Sequence, residues 1–193
     1  MGVSWGAALR PKRGQSISGD AYVVAPFTPH GLQVAVIDGL GGGQEAARAA
    51  QSAVEVISSA PAQDPAELIR RSHLALHGTR GAVLALLTFD LAAHSVSYVG
   101  VGNIGIHAYS ATPIKPISKN GIIGYRMPHL LKLSYNYNFG DTFVLYSDGV
   151  SSRLGLDTSI DPTLEPQQLA ETILDRHGKD NDDATVVVVR VTE

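Results

Sequence analysis

Apolar residues in this chain fall mostly into short runs of strand length, interrupted by three stretches with helical spacing. Val3 to Leu9, Ala21 to Ala25 and Leu32 to Ile37 read as three early strands. In Gln44 to Ser58 the residues Ala46, Ala50, Ala53, Val54 and Ile57 share one face of a helix. Asp64 precedes Pro65, an N-cap followed by proline at the first helical position. That pair predicts a second helix from Pro65 to about His77, stopped by Gly78. A strand-rich block follows: Ala82 to Phe89, Ser95 to Val101, Ile104 to Tyr109, Leu130 to Tyr137 and Thr142 to Ser147, with Asp90 to His94 as the first turn. A last helix is expected from Pro166 to His177, ending at Gly178. Thr185 to Val191, TVVVVRV, has the continuous apolar character of a strand buried on both faces.

Strands, two helices, many strands, a helix and a strand is not the regular alternation of a parallel sheet. The order predicts an α+β fold, an antiparallel β-sandwich with helices packed outside both faces. With no repeat, low-complexity tract or charged linker, residues 1–193 read as a single domain. Composition supports a packed core, at 44% hydrophobic and 17% charged residues. A net charge of −3, from 15 basic and 18 acidic side chains, leaves no electrostatic footprint for nucleic acid or a membrane surface. There is no cysteine, which removes disulfides, thiolate metal sites and cysteine nucleophiles. The N-terminus lacks a signal-peptide pattern, and no apolar run approaches the ~18 residues that span a bilayer. Met1-Gly2 is followed by Gly6 where a myristoylation signal has Ser or Thr. The expected location is the cytoplasm.

The chemistry lies in aspartates at strand boundaries. Asp20 precedes one strand and Asp38 follows the next, so antiparallel pairing of the two would bring them together. Asp148 and Asp182 stand in the same relation to the strands ending at Ser147 and starting at Thr185. Carboxylates so gathered repel unless cations bind, and an all-oxygen set suits Mg²⁺ or Mn²⁺. Asp38-Gly39 and Asp148-Gly149 could instead be hairpin turns. However, Leu40-Gly41-Gly42-Gly43 and a helix follow the first, and Val150 to Arg153 without alternation follows the second. Glycine after a metal aspartate would also expose a backbone carbonyl as a ligand.

Six segments in order, Ser18-Gly19-Asp20, VAVIDGLGGG, Gly78-Thr79, GVGN at 100–103, DTFVLYSDG at 141–149 and Asp182-Asp183-Ala184-Thr185, resemble the PPM-type metal-dependent protein phosphatases, in their SpoIIE-like branch. The short chain and DGLGGGQEA look most like the RsbX group, which resets the stressosome. The resemblance implies a protein serine/threonine phosphatase with two divalent cations, Mn²⁺ or Mg²⁺, and no phosphoenzyme. Asp38 would bridge the cations, the Gly39 carbonyl would bind one, Asp148 and Asp182 would hold the second, and Asp20 would support the first through water. Asp183 stands where relatives often have asparagine. Leu74 to His77 offer no aspartate before Gly78-Thr79 for a third cation. The implied partners are phosphorylated STAS-domain proteins of a stressosome. The alternatives are an anti-anti-sigma factor in a partner-switching pathway, or a catalytically weak binding module. Arg10, Lys12 and Arg13 could orient the phosphate, though a solvated basic turn explains them as well.

Other motifs carry less. Gly100 to Gly105 fits G-x-G-x-x-G but is followed by a strand-like run, not the helix a dinucleotide needs. His73 and His77 are four apart, but Leu74 replaces the glutamate of a zinc hydrolase. Ser110 to Pro128 and Ser151 to Pro166 are the expected recognition loops.

Overall fold

Nine strands pair antiparallel throughout and build two stacked sheets, in the computed structural model of residues 2–193. Met1, and with it the start of the Met1-Gly2 motif, lies outside the described residues. In chain order the elements are β1 (Gly2–Arg10), β2 (Asp20–Phe27), β3 (Gly31–Gly39), α1 (Gly43–Ser59), α2 (Pro65–Ala75), β4 (Ala82–Asp90), β5 (Ser95–Val101), β6 (Gly105–Tyr109), β7 (Leu133–Asn136), β8 (Thr142–Tyr146), a 3-10 turn at Ser152–Leu156, α3 (Pro166–His177) and β9 (Ala184–Thr192). One sheet runs β1-β9-β8-β6 and the other β2-β3-β4-β5-β7. Helices α1 and α2 cover the second sheet, and α3 covers the first. This is the helix-flanked antiparallel sandwich that the order of patterns predicts.

Three apolar layers hold it together. Between the sheets lie Val34, Val36, Phe89, Phe143, Val187 and Val189, all at most 1% exposed. Beneath α1 the contact face is alanine, with Ala46, Ala49, Ala50 and Ala53 fully buried, so the helix lies close on its sheet. The Asp64 side chain accepts the N–H groups of Ala66 and Glu67, capping α2 as the Asp-Pro pair implies. Phe89 and Phe143 meet edge-to-face across the two sheets with centroids 5.2 Å apart. Phe89→Ala should therefore destabilise the fold by about 3–5 kcal/mol, read as a lower urea midpoint at unchanged m-value.

Most elements begin and end within two residues of the sequence expectation, and two that fall short of it show why. Helix α2 stops at Ala75 rather than His77, because the chain tightens: His77 N–H bonds to the Leu74 carbonyl, and the Thr79 N–H and hydroxyl both take the Leu76 carbonyl. The strand expected over Leu130 to Tyr137 shrinks to Leu133–Asn136. Beyond Tyr98 the edge of β5 is already occupied, since the Lys119 N–H bonds to the Gly100 carbonyl and the Gly102 N–H to the Lys119 carbonyl. Residues 130–132 thus find no ladder to join.

Candidate metal centre

One pole of the sandwich gathers strand ends from both sheets. The β2–β3 register sets Asp20 directly opposite Asp38. In the other sheet Tyr146 faces Val186, and the Ser147 N–H bonds to the Thr185 carbonyl. That pairing brings the flanking Asp148 and Asp182 to the same pole. The sheets are tied together here by the Ser147 hydroxyl, which donates to Asp20 Oδ2 at 2.6 Å and accepts the Thr185 N–H at 2.9 Å.

Gathering carboxylates in a partly dry place has the expected electrostatic result. Burial pushes Asp38 up to about 8, and the neighbouring charges of Asp20, Asp148, Asp182 and Asp183 push the same way. Asp20 is raised to about 6, again chiefly by burial, against the hydrogen bond from Ser147 that lowers it. Asp148 Oδ2 accepts the Asn103 side-chain amide at 2.7 Å, and Asp182 Oδ1 accepts the Asp183 N–H at 3.0 Å. The Lys179 ammonium sits on the Asp148 main-chain carbonyl at 2.5 Å.

Neither Asp-Gly joins the two strands of a hairpin, although Asp148-Gly149 does sit in a β-turn closed by the Val150 N–H on the Ser147 carbonyl. Asp38 and Gly39 close β3, and Asp148-Gly149 follows β8. A Cβ on Gly39 would collide with the Ala46 carbonyl of α1, and one on Gly149 with the Asp183 carbonyl. Glycine is thus required first for close approach of backbones.

The basic residues behave differently from one another. The Arg10 guanidinium turns toward Asp180, 3.8 Å away, and its Nη2 is buried without a hydrogen-bond partner. Lys12 and Arg13 are exposed on the loop between β1 and β2, whose backbone is held at the acidic pole. The G-x-G-x-x-G segment is a turn between β5 and β6, with no helix after it. His73 Nδ1 accepts the Gly124 N–H, so its Nε2 carries the proton that meets His77 Nε2 at 3.2 Å. That nitrogen then has no lone pair for a metal.

A family model described as Stage II sporulation protein E (SpoIIE) matches residues 28–192. The chain belongs to the SpoIIE family. As a SpoIIE-family protein it is an enzyme of the PPM serine/threonine phosphatase class. No curated protein sequence matches it. A chain solved in work on the bacterial stressosome, described as a modular system adapted to control secondary messenger signaling, is 33% identical, with a TM-score of 0.92 over 98% of this chain and 100% of that one. RsbX in complex with magnesium is 21% identical, with a TM-score of 0.87 over 98% and 96%. The catalytic domain of the phosphatase PstP with two manganese ions is 17% identical, with a TM-score of 0.72 over 99% of each chain. These last two share the fold.

The SpoIIE-family pole fits divalent cations. Its donors are carboxylate and carbonyl oxygens, and Asp38 is raised first by burial and then by its carboxylate neighbours, both of which a bound cation would offset. Among the described residues no three His, Asp or Glu side chains converge into a ready-made shell. Mg²⁺ keeps several waters and uses one or two carboxylates, so a spread set of this kind matches its habits. Sequence reasoning overlooked Asn103, Ser147 and Lys179 as supports. Asn103 and Ser147 do lie inside motif segments, GVGN and YSDG, but nothing in the spacing tells which carboxylate each serves.

Proposed function

We propose that this enzyme hydrolyses phosphoserine or phosphothreonine on a folded STAS-domain protein of a stressosome-like complex, in the cytoplasm. The observation that carries the reading is that strand ends from both sheets bring Asp20, Asp38, Asp148 and Asp182 to one pole, near enough for the other three to push Asp38 upward. Asp38, among the other carboxylates, would hold both cations, and the Gly39 carbonyl would hold one of them. Asp148 and Asp182 would hold the second, and Asp20 would support the first. When bound, the two cations supply an activated water and neutralise the phosphoryl oxygens. The chain's own task is orientation. Ser147 fixes one oxygen of Asp20, Asn103 fixes one of Asp148, and Lys12 and Arg13 present positive charge to the arriving phosphate.

The surroundings favour a protein substrate. The depression beside the pole, about 230 Å³ between residues 14–17 and 43–44, is shallow and open. A cavity of about 480 Å³ near Phe27, Asp64 and Lys132 lies at the opposite pole. Small metabolites need enclosure to bind well, whereas a phosphorylated side chain on a folded partner does not. Residues 119–126 line the acidic end of the second sheet through bonds to Ala82, Gly100 and Gly102, consistent with a recognition role for that loop. The 151–166 loop only begins near the pole: its 162–164 carbonyls are held by Arg190 at the far end of the sheet. No helix among the described residues is long and apolar enough to cross a membrane. The likeness, at 33% identity, to a chain solved in work on the bacterial stressosome supports the partner class. The test compares kcat/KM on a phosphorylated STAS protein with that on its matching phosphopeptide. Folded protein should be preferred by at least about tenfold, roughly 1.4 kcal/mol of docking contacts. Equal efficiency would remove the partner assignment.

A further inference from the structure

We infer that Asp183 is a positioning residue, a strut that fixes the loop between β1 and β2 against the metal-binding peptide, and not a metal ligand. Both carboxylate oxygens are already engaged by the backbone of that loop. Oδ1 accepts the Lys12 N–H at 2.8 Å, and Oδ2 accepts the Gly19 N–H at 2.8 Å. The donors come from the two ends of the loop, so one side chain closes it like a clasp. The residue is 5% exposed, and hydrogen bonds from neutral amides to a buried carboxylate are among the stronger kind.

The strut reaches further. The Gly19 carbonyl accepts the Gly39 N–H at 3.0 Å, so Asp183, Gly19 and Gly39 form a hydrogen-bonded series from the start of β9 to the end of β3. A Cβ on Gly19 would press on Ala46 at 2.8 Å and on Asp183 Oδ2 at 3.1 Å, so this approach depends on glycine. A second tie runs alongside, from the Arg13 N–H to the Asp180 carbonyl at 3.0 Å. Asp183 thus sets the place of Lys12 and Arg13 against the Asp38-Gly39 peptide, which the β3–β4 ladder holds in its own right. An asparagine here would offer one acceptor where the aspartate offers two, and would turn an N–H₂ toward an N–H. The loop function rests on the phosphatase reading. The strut itself does not.

The experiment has a metal-free arm and an activity arm, each on wild type, Asp183→Asn and Asp183→Ala. In the first, amide exchange of the apo protein is followed residue by residue, with limited trypsin digestion at Lys12 and Arg13. Lys12 and Gly19 should exchange at least about tenfold faster in Asp183→Ala and less so in Asp183→Asn, which keeps the fold if alanine does not. Tryptic cleavage should rise in the same order. In the second arm, with Mn²⁺ and an aryl phosphate, KM and the inhibition constant of inorganic phosphate should rise about tenfold in Asp183→Asn, kcat should fall less, and Mn²⁺ affinity by calorimetry should change by less than about threefold. Unchanged exchange at Lys12 and Gly19 overturns the strut. A large loss of Mn²⁺ affinity with intact loop protection makes Asp183 a ligand and also overturns it. If wild type hydrolyses no phosphomonoester, the phosphatase reading fails while the exchange arm still decides the strut.

Discussion

Asp38→Asn should lose at least about a thousandfold in kcat/KM, roughly 4 kcal/mol of transition-state stabilisation, and yet remain folded. The substitution removes the charge on which the surrounding carboxylates converge, so both proposed cations lose their shared ligand. The same change relieves the metal-free protein. Asp38 is ordinary in the unfolded chain, near 3.8, and raised to about 8 in the fold. Its proton is bound more tightly by the native state, so its contribution to stability is present below about pH 4 and is lost as pH rises through about 8. Asp20, raised to about 6, adds a smaller loss of the same sign. Urea denaturation of the apo protein should therefore show stability falling between pH 5 and pH 8.5 in wild type, and a shallower fall in Asp38→Asn. Near-native turnover in this variant would remove Asp38 from the bridging role. A steeper fall would contradict the repulsion.

Stripping divalent cations should bring phosphate release down to the uncatalysed background, with full recovery on adding Mn²⁺ or Mg²⁺. The cations supply the nucleophile and the charge neutralisation, and no cysteine or Gly-x-Ser-x-Gly nucleophile stands in reserve. The same titration should raise Tm, since a ligand that binds only the native state stabilises by RT ln(1 + [L]/Kd). Protons and cations compete for Asp38, so the rise in Tm at fixed Mn²⁺ should be larger at pH 8 than at pH 6. Activity persisting in excess chelator, with metal content verified as nil, would end the two-cation reading. A rise in Tm that shrinks with increasing pH would show that the cation binds elsewhere.

Much of this arrangement was legible in the chain because its signals are local. The apolar runs located all nine strands, and the alanine stripe located the face of α1 that its sheet covers. The position of Asp20 before one strand and Asp38 after the next needed only antiparallel pairing to bring them together, and the register does so. What stayed hidden is long-range. Leu130 to Lys132 have strand-like composition, and only the Lys119 segment, lying along β5, denies them a partner. Asp183 accepts amides more than 160 positions away, and Ser147 reaches Asp20 across 127. A side chain that bonds to distant backbone leaves no periodicity and no spacing. It looks like any polar residue in a turn until the two sheets are stacked.

The pairing of β1 with β9 has a consequence for how the enzyme comes into being. β1 finds its hydrogen-bond partners in residues 184–192, more than 170 positions along the chain, and the loop after it is held by Asp180 and Asp183, just before the same strand. Such contacts carry the largest loop-closure cost the chain has to meet, and they form after local hairpins such as β2–β3 and β4–β5. During translation, therefore, β1 and the basic loop stay without these partners until β9 has emerged from the ribosome. The acidic pole comes together in the same late step, so no fragment that stops short of Asp182 carries the full set of carboxylates.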